Sequence, residues 1–223
     1  MDKAQEALNE ARKFAAEGKF EESLERHVWF HEHALEVRPS YYGVRLSYAL
    51  SDWAELGKMY PKALQTLKGI RDEKTSRLLA GQVDRQLFHD VESINDHLNE
   101  SLATVELFKA IQATRPDFAA SIYDLADEAL IAAEEYVLAA KYLTEPLSRF
   151  EFAKDNFVEG MENAKTSQNT DQRRRAHEHI FADETVRLIV VLSKTGNQAL
   201  AREIRSKALS VLDSPTIRDA LKD

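Results

Sequence analysis

Cysteine is absent from the 223 residues, which excludes disulfides, cysteine-ligated zinc and a thiol nucleophile. Glycine (7) and proline (5) are scarce. Few positions therefore interrupt a backbone ladder, and the abundance of Ala, Leu, Glu, Lys and Arg favours helix, so no strands are expected. No apolar run approaches the roughly 20 residues of a membrane-spanning helix. The opening residues, Met1-Asp2-Lys3-Ala4-Gln5-Glu6, begin an amphipathic helix without the apolar stretch of a secretion signal, so the expected setting is cytoplasmic with no membrane partner. There is no Gly-rich phosphate loop, no Gly-x-Ser-x-Gly elbow and no His-Glu-x-x-His motif, and so no support for a cofactor or an enzymatic reaction.

What is present describes a folded chain: 43% hydrophobic and 30% charged residues is a globular mixture. The charge is unevenly spread. Residues 116 to 162 carry 3 basic and 11 acidic side chains, whereas the rest carries 27 of each sign, so all the surplus acidity lies in one stretch. That stretch would repel a phosphate backbone, and no basic stripe with interleaved aromatics offsets it, which argues against nucleic acid as a partner. The cluster Arg173-Arg174-Arg175 sits beside Asp171, Glu178, Asp183 and Glu184 and reads as a solvated helix face.

Apolar spacing divides the chain into amphipathic segments. The first, Lys3 to Glu17, aligns Ala4, Ala7, Leu8, Ala11, Phe14 and Ala15 on one stripe and ends at Gly18, suited to a left-handed C-cap. The second runs from Phe20 to Val37 and stops before Pro39. Further helices are expected at Tyr41 to Leu56, Pro61 to Arg71, a pair within Leu78 to Thr114, Phe118 to Glu135, Tyr136 to Leu143, Asp183 to Lys194 and Gln198 to Leu212. A polar break is expected at 166 to 170. Ser214-Pro215 then introduces a short terminal helix over 215–221 that would cap the stack. No domain linker emerges, so one domain over 1–223 is expected.

The residues Ala11, Phe14, Gly18, Phe20, Ser23, Leu24 and Pro39 together resemble one tetratricopeptide repeat, a 34-residue helix hairpin. Tyr60, Ala63, Leu64 and Leu67 resemble the second half of another. Leu192, Gly196, Ala201, Ala208 and Pro215 resemble a third, and Ala126, Tyr136, Ala139 and Leu143 a fourth. The likeness does not extend through Thr75 to Thr114. It implies an all-α fold, a right-handed α-solenoid of antiparallel helix pairs whose first helices line a concave binding surface. Counting back from the small residues of each second helix, the resemblance places Asn9 and Arg12, then Arg45, Tyr48 and Asp52, then Asp124 and Glu128 on that groove.

The function this implies is a scaffold or adaptor that holds a protein or peptide segment of basic character, drawn by Asp52, Asp124 and Glu128. The bland alternative is that these acids only solvate an outer face. Family members that clamp a C-terminal carboxylate use Lys and Asn in the groove; Leu8, Ala49 and Asp52 at the corresponding positions disfavour that mode. Trp29 and Trp53 are expected in packing, and Tyr41 and Tyr42, after Pro39-Ser40, as exposed residues of a dimer contact.

A rival reading rests on His27 and His31, four residues apart and so on one helix face, the geometry of a two-ligand metal grip. Two ligands make no site, and the pair also falls on the apolar stripe of Phe20, Leu24, Val28 and Leu35, where histidines pack. His177 and His179 face different ways, and His89 and His97 show no evident partner. A metal-dependent enzyme or metal-binding protein using His27 and His31, or a self-assembling structural solenoid, are the alternatives.

Overall fold

The computed structural model describes residues 1–166 and 169–221. Residues 167 and 168 of the expected polar break, and the last two residues of the expected domain, lie outside the described residues. The described chain is all-helical, with helices packed in neighbouring pairs and no strand among the described residues. It divides into two compact units, Met1–Ala129 and Leu130–Asp223.

Unit 1 begins with the hairpin of α1 (Lys3–Ala16) and α2 (Phe20–Val37). Asp2 caps α1 by accepting from the Gln5 amide at 3.0 Å. Gly18, at φ +74°, turns the chain in the left-handed region that a side chain would strain. Pro39 ends α2 as expected, because Arg38 is extended ahead of it. Ser23 Oγ donates to the Ala11 carbonyl at 2.8 Å and ties the two helices together in the interior.

The expected helix Tyr41 to Leu56 is broken into three parts. A 3-10 turn over Pro39–Tyr41 leads into α3 (Tyr42–Leu46), Ser47 leaves the helical region at φ −121° and ψ −96°, and α4 (Tyr48–Met59) starts afresh. The Ser47 hydroxyl donates back to the Gly43 carbonyl at 2.7 Å, a bond that competes with the helical ladder. Tyr41 is buried and its hydroxyl donates to both carboxylate oxygens of Asp2 at 2.8 and 3.0 Å, which corrects the expectation of an exposed dimer residue.

α5 (Pro61–Leu79) outlasts its expected end at Arg71 by two turns. The extension is polar in sequence but docks: Arg71 binds Glu100, Lys74 binds Asp90, and Leu78 is fully buried. The stretch without family likeness forms α6 (Arg85–His97), capped by Asp84, and α7 (Ser101–Thr114), followed by α8 (Pro116–Ala132). Leu24, Leu50, Trp53, Leu56, Ala63, Leu67 and Ile94 form the central core, and Ala4, Leu8, Phe30, Ala34, Tyr41 and Ala49 a second cluster. Gly57 brings α4 onto α5, since a Cβ there would lie 3.1 Å from that of Leu64.

Unit 2 comprises α9 (Tyr136–Ala140), α10 (Pro146–Lys165), α11 (Thr170–Lys194), α12 (Gln198–Val211) and α13 (Pro215–Asp219). Apolar spacing singled out neither α10 nor the polar first half of α11. Both are held by aromatics, with Phe181 of α11 stacked on Phe157 at 4.9 Å and beside Phe150 at 6.2 Å. Gly160 of α10 admits the His177 ring, whose nearest atom would be 2.4 Å from an added Cβ. Gly196 turns the chain at φ +90°, and α13 packs on α11 and α12 with Ile217 fully buried.

Candidate functional site

The first helices of the pairs in unit 1 are α1, α4 and α6, with α8 following, and α1 contacts α4 as α4 contacts α6. Their outward residues include most of the expected groove set. Asn9 and Arg12 lie about one turn apart on α1, and Asn9 accepts from Gln5 Nε2 at 3.1 Å. Arg12 Nε donates to Asp52 Oδ2 of α4 at 2.7 Å, and Tyr48, one turn before Asp52, is 67% exposed. The structure thus joins Arg12 with Asp52 and places Tyr48 beside them on α4.

On α6 and α8 the arrangement repeats, with the arginine again on the earlier helix and the aspartate on the later one. Arg85 donates from its two terminal nitrogens to Asp124 at 2.7 and 2.5 Å, a bidentate pair that is about half exposed. Two of the three acids expected to attract a basic partner, Asp52 and Asp124, are therefore already bound by arginines of the same chain. This weakens the expected pull of those two residues, because the charge seen from outside is largely cancelled. Glu128 is exposed on α8.

The acid that stands out is Glu92 of α6, which had no mark in the sequence. Its carboxyl is pushed up to about 7, chiefly by burial and further by the negative charges of Asp96, Glu128 and Asp127; the Ser93 hydroxyl, donating at 3.2 Å, pulls the other way. His89 Nε2 lies 4.0 Å from it but gives little relief. Burial lowers the His89 pKa, and its Nδ1 pairs with the Tyr42 hydroxyl at 2.9 Å. Three acids from two helices thus crowd one carboxyl that, among the described residues, has only His89 on its basic side.

Arg45 departs from its expected place. It is 4% exposed and cannot line a groove. From α3 it grips Asp90 of α6 with both terminal nitrogens, and Lys74 of α5 binds the same carboxylate. Both cations also face His31 Nε2, Arg45 at 3.3 Å and Lys74 at 3.2 Å. The reason is topological: the break at Ser47 turns α3 inward, so a residue that repeat counting assigns to a groove meets α6 instead.

His27 and His31 are both buried against Trp53, His27 stacked at 5.8 Å and His31 edge-on at 6.0 Å. Burial lowers His27 to about 4 and His31 to about 3, the latter aided by the charges of Lys74 and Arg45. Both rings are neutral at physiological pH. Among the described residues no three His, Asp or Glu side chains converge as a set that could hold a metal ion. Trp53 itself is fully buried and donates to the Ala63 carbonyl at 3.0 Å, in the packing role expected of it.

Among the described residues no helix is long and apolar enough to cross a membrane. Comparison of the chain with protein-family models and with curated proteins gives no match.

Proposed function

We propose that the chain is a protein-interaction scaffold of tetratricopeptide-like helix pairs winding as a right-handed superhelix, and that α6 and α8 of unit 1 receive a basic segment of a partner protein. The observation that carries this reading is Glu92. A half-buried carboxyl raised to about 7 by burial and by Asp96, Glu128 and Asp127 is a place where added positive charge is strongly favoured. A lysine or arginine set against this face would ionise Glu92 and relieve the repulsion among its neighbours. Tyr48, exposed on the neighbouring first helix α4, supplies an apolar surface with a polar tip of the kind that anchors peptides. Asp52 and Asp124 take a secondary part, since Arg12 and Arg85 already hold them.

The test is calorimetric titration with peptides of one length that carry two arginines at varied spacing, against acidic counterparts. Basic peptides bind, and the double substitution Asp127→Asn and Glu128→Gln weakens them about tenfold, as expected for two lost charge contacts. Affinity also falls with salt, because the attracting face is exposed. Equal affinity for the acidic set, or no effect of the double substitution, would overturn the reading.

A further inference from the structure

Four helices meet at Asp90: α2 brings His31, α3 Arg45, α5 Lys74 and α6 the carboxylate itself. The charges do not balance. Arg45 and Lys74 bring two positive charges to a single carboxylate, with side chains only 5%, 14% and 8% exposed for Arg45, Lys74 and Asp90. Asp90 already accepts from three donor nitrogens, two of Arg45 and one of Lys74, so it has little left to offer. His31 Nε2 faces two N–H donors and must be the accepting nitrogen, which puts the ring proton on Nδ1.

Two donors then have no acceptor among the described residues: Arg45 Nε and His31 Nδ1, both on residues more than nine-tenths buried. The Tyr42 ring lies 6.0 Å from the Arg45 guanidinium and offsets part of its charge, but offers Nε nothing. A buried surplus charge with unmatched donors is costly, and its remedy is a negative group carrying oxygen acceptors. Burial first, and then the charges of Lys74 and Arg45, lower the His31 pKa to about 3, so the ring adds no positive charge of its own.

We propose that the interior of unit 1 binds one small carboxylate anion beside Arg45, Lys74 and His31. A monocarboxylate matches the surplus of one charge and presents two oxygens to donors on two side chains, whereas a phosphate dianion would reverse the imbalance. Small size follows from the surroundings, since the fully buried Trp53 of α4 lies edge-on against the His31 ring at 6.0 Å. Lys74, the most exposed of the three charged members, marks the side of entry. The site is separate from the acidic face of α6 and α8 and does not depend on the partner-binding proposal.

The test uses the whole chain with Trp29→Phe, which leaves Trp53, edge-on to His31, as the sole indole reporter. Sodium acetate replaces sodium chloride at constant ionic strength and pH 7. A saturable change in Trp53 emission is expected, with Tm raised by about 5 °C at a hundredfold excess over the dissociation constant. Lys74→Met abolishes both responses by balancing Arg45 against Asp90, while Lys68→Met, which removes the same charge from the same helix at its pair with Glu100, keeps them. A flat acetate titration, an equal response in Lys74→Met, or a response to phosphate without one to acetate would overturn the proposal. Should Lys74→Met not fold, the parent titration with its phosphate arm still decides.

Discussion

The two units bury different things. Of the buried polar residues among the described ones, Ser23, His27, His31, Arg45, Asp90, Ser93, Asn95 and Thr104 belong to unit 1, while unit 2 has Thr185. Unit 2 is instead closed by Phe150, Phe157 and Phe181 with Leu188, Ile189 and Ile204. Helix pairs can thus be joined in two ways within one chain. Apolar packing tolerates many partners, since any shape that fits is accepted. A charged junction accepts one arrangement, because each member is satisfied only by its particular neighbours.

This contrast is broken most severely at Asp90. Asp90→Ala leaves Arg45 and Lys74 buried with no carboxylate, and a loss of about 3–5 kcal/mol is expected. Hydrogen exchange should register the loss in α2 to α6, with the amides of α10 to α12 keeping their protection. Equal loss of protection across unit 2 would show that the units do not differ in this way.

Acid should separate them next. His27 and His31 have folded values of about 4 and 3, below the unfolded value near 6.5. The stability their neutral burial carries is complete above about pH 6.5 and is lost as pH falls, because the unfolded chain takes up protons that the fold refuses. At pH 5 each ring accounts for about 2 kcal/mol, by linkage over one and a half pH units. Glu92, raised to about 7, works the other way by about 2 kcal/mol over this range, so urea denaturation should show a net loss of about 2 kcal/mol from pH 7 to 5 in the parent and almost none in His31→Gln. An unchanged slope in His31→Gln would refute the assignment.

The smallest expected effect sharpens the comparison from the other side. Gly160→Ala sets a Cβ against the His177 ring, which must shift, at a cost of about 1–2 kcal/mol in unit 2. Because this is packing and not charge, the cost should be the same at about 0.05 M and about 0.5 M salt, since only exposed charge interactions are screened. A cost that changes with salt would mean that charge, not packing, sets it.

Much of the helix plan was legible in local chemistry. Gly18, Pro39, Gly196 and Pro215 end or begin helices where backbone sterics require it, and the break at Gly18 falls at the expected residue. The stripe of α1 predicted its buried Ala4, Ala7, Leu8 and Ala11. Less could be read where a long-range partner decides. Nothing near Arg71 announces that α5 runs on to Leu79, since Glu100 and Asp90 hold the extension from later helices. Ser47 breaks its helix through a bond to Gly43 that any mid-helix serine could in principle make.

The candidate site divides in the same way. Repeat spacing picked out Asn9, Arg12 and Tyr48, which are exposed, and Asp52, which is half-exposed, because positions on one helix face follow from period alone. Arg45 was misread, since that spacing assumes an unbroken helix from Tyr41. Glu92 had no signal at all: its state comes from burial and from acids on α8, more than thirty residues further along.

By itself, then, the sequence determined that the chain would be helical, where most of its turns fall and which faces are apolar, because these depend on neighbours within a few residues. Tertiary structure alone decided which charges are buried, paired or left in surplus. Arg45, Lys74, Asp90 and His31 come from four helices, and only their convergence makes the interior of unit 1 a charged junction.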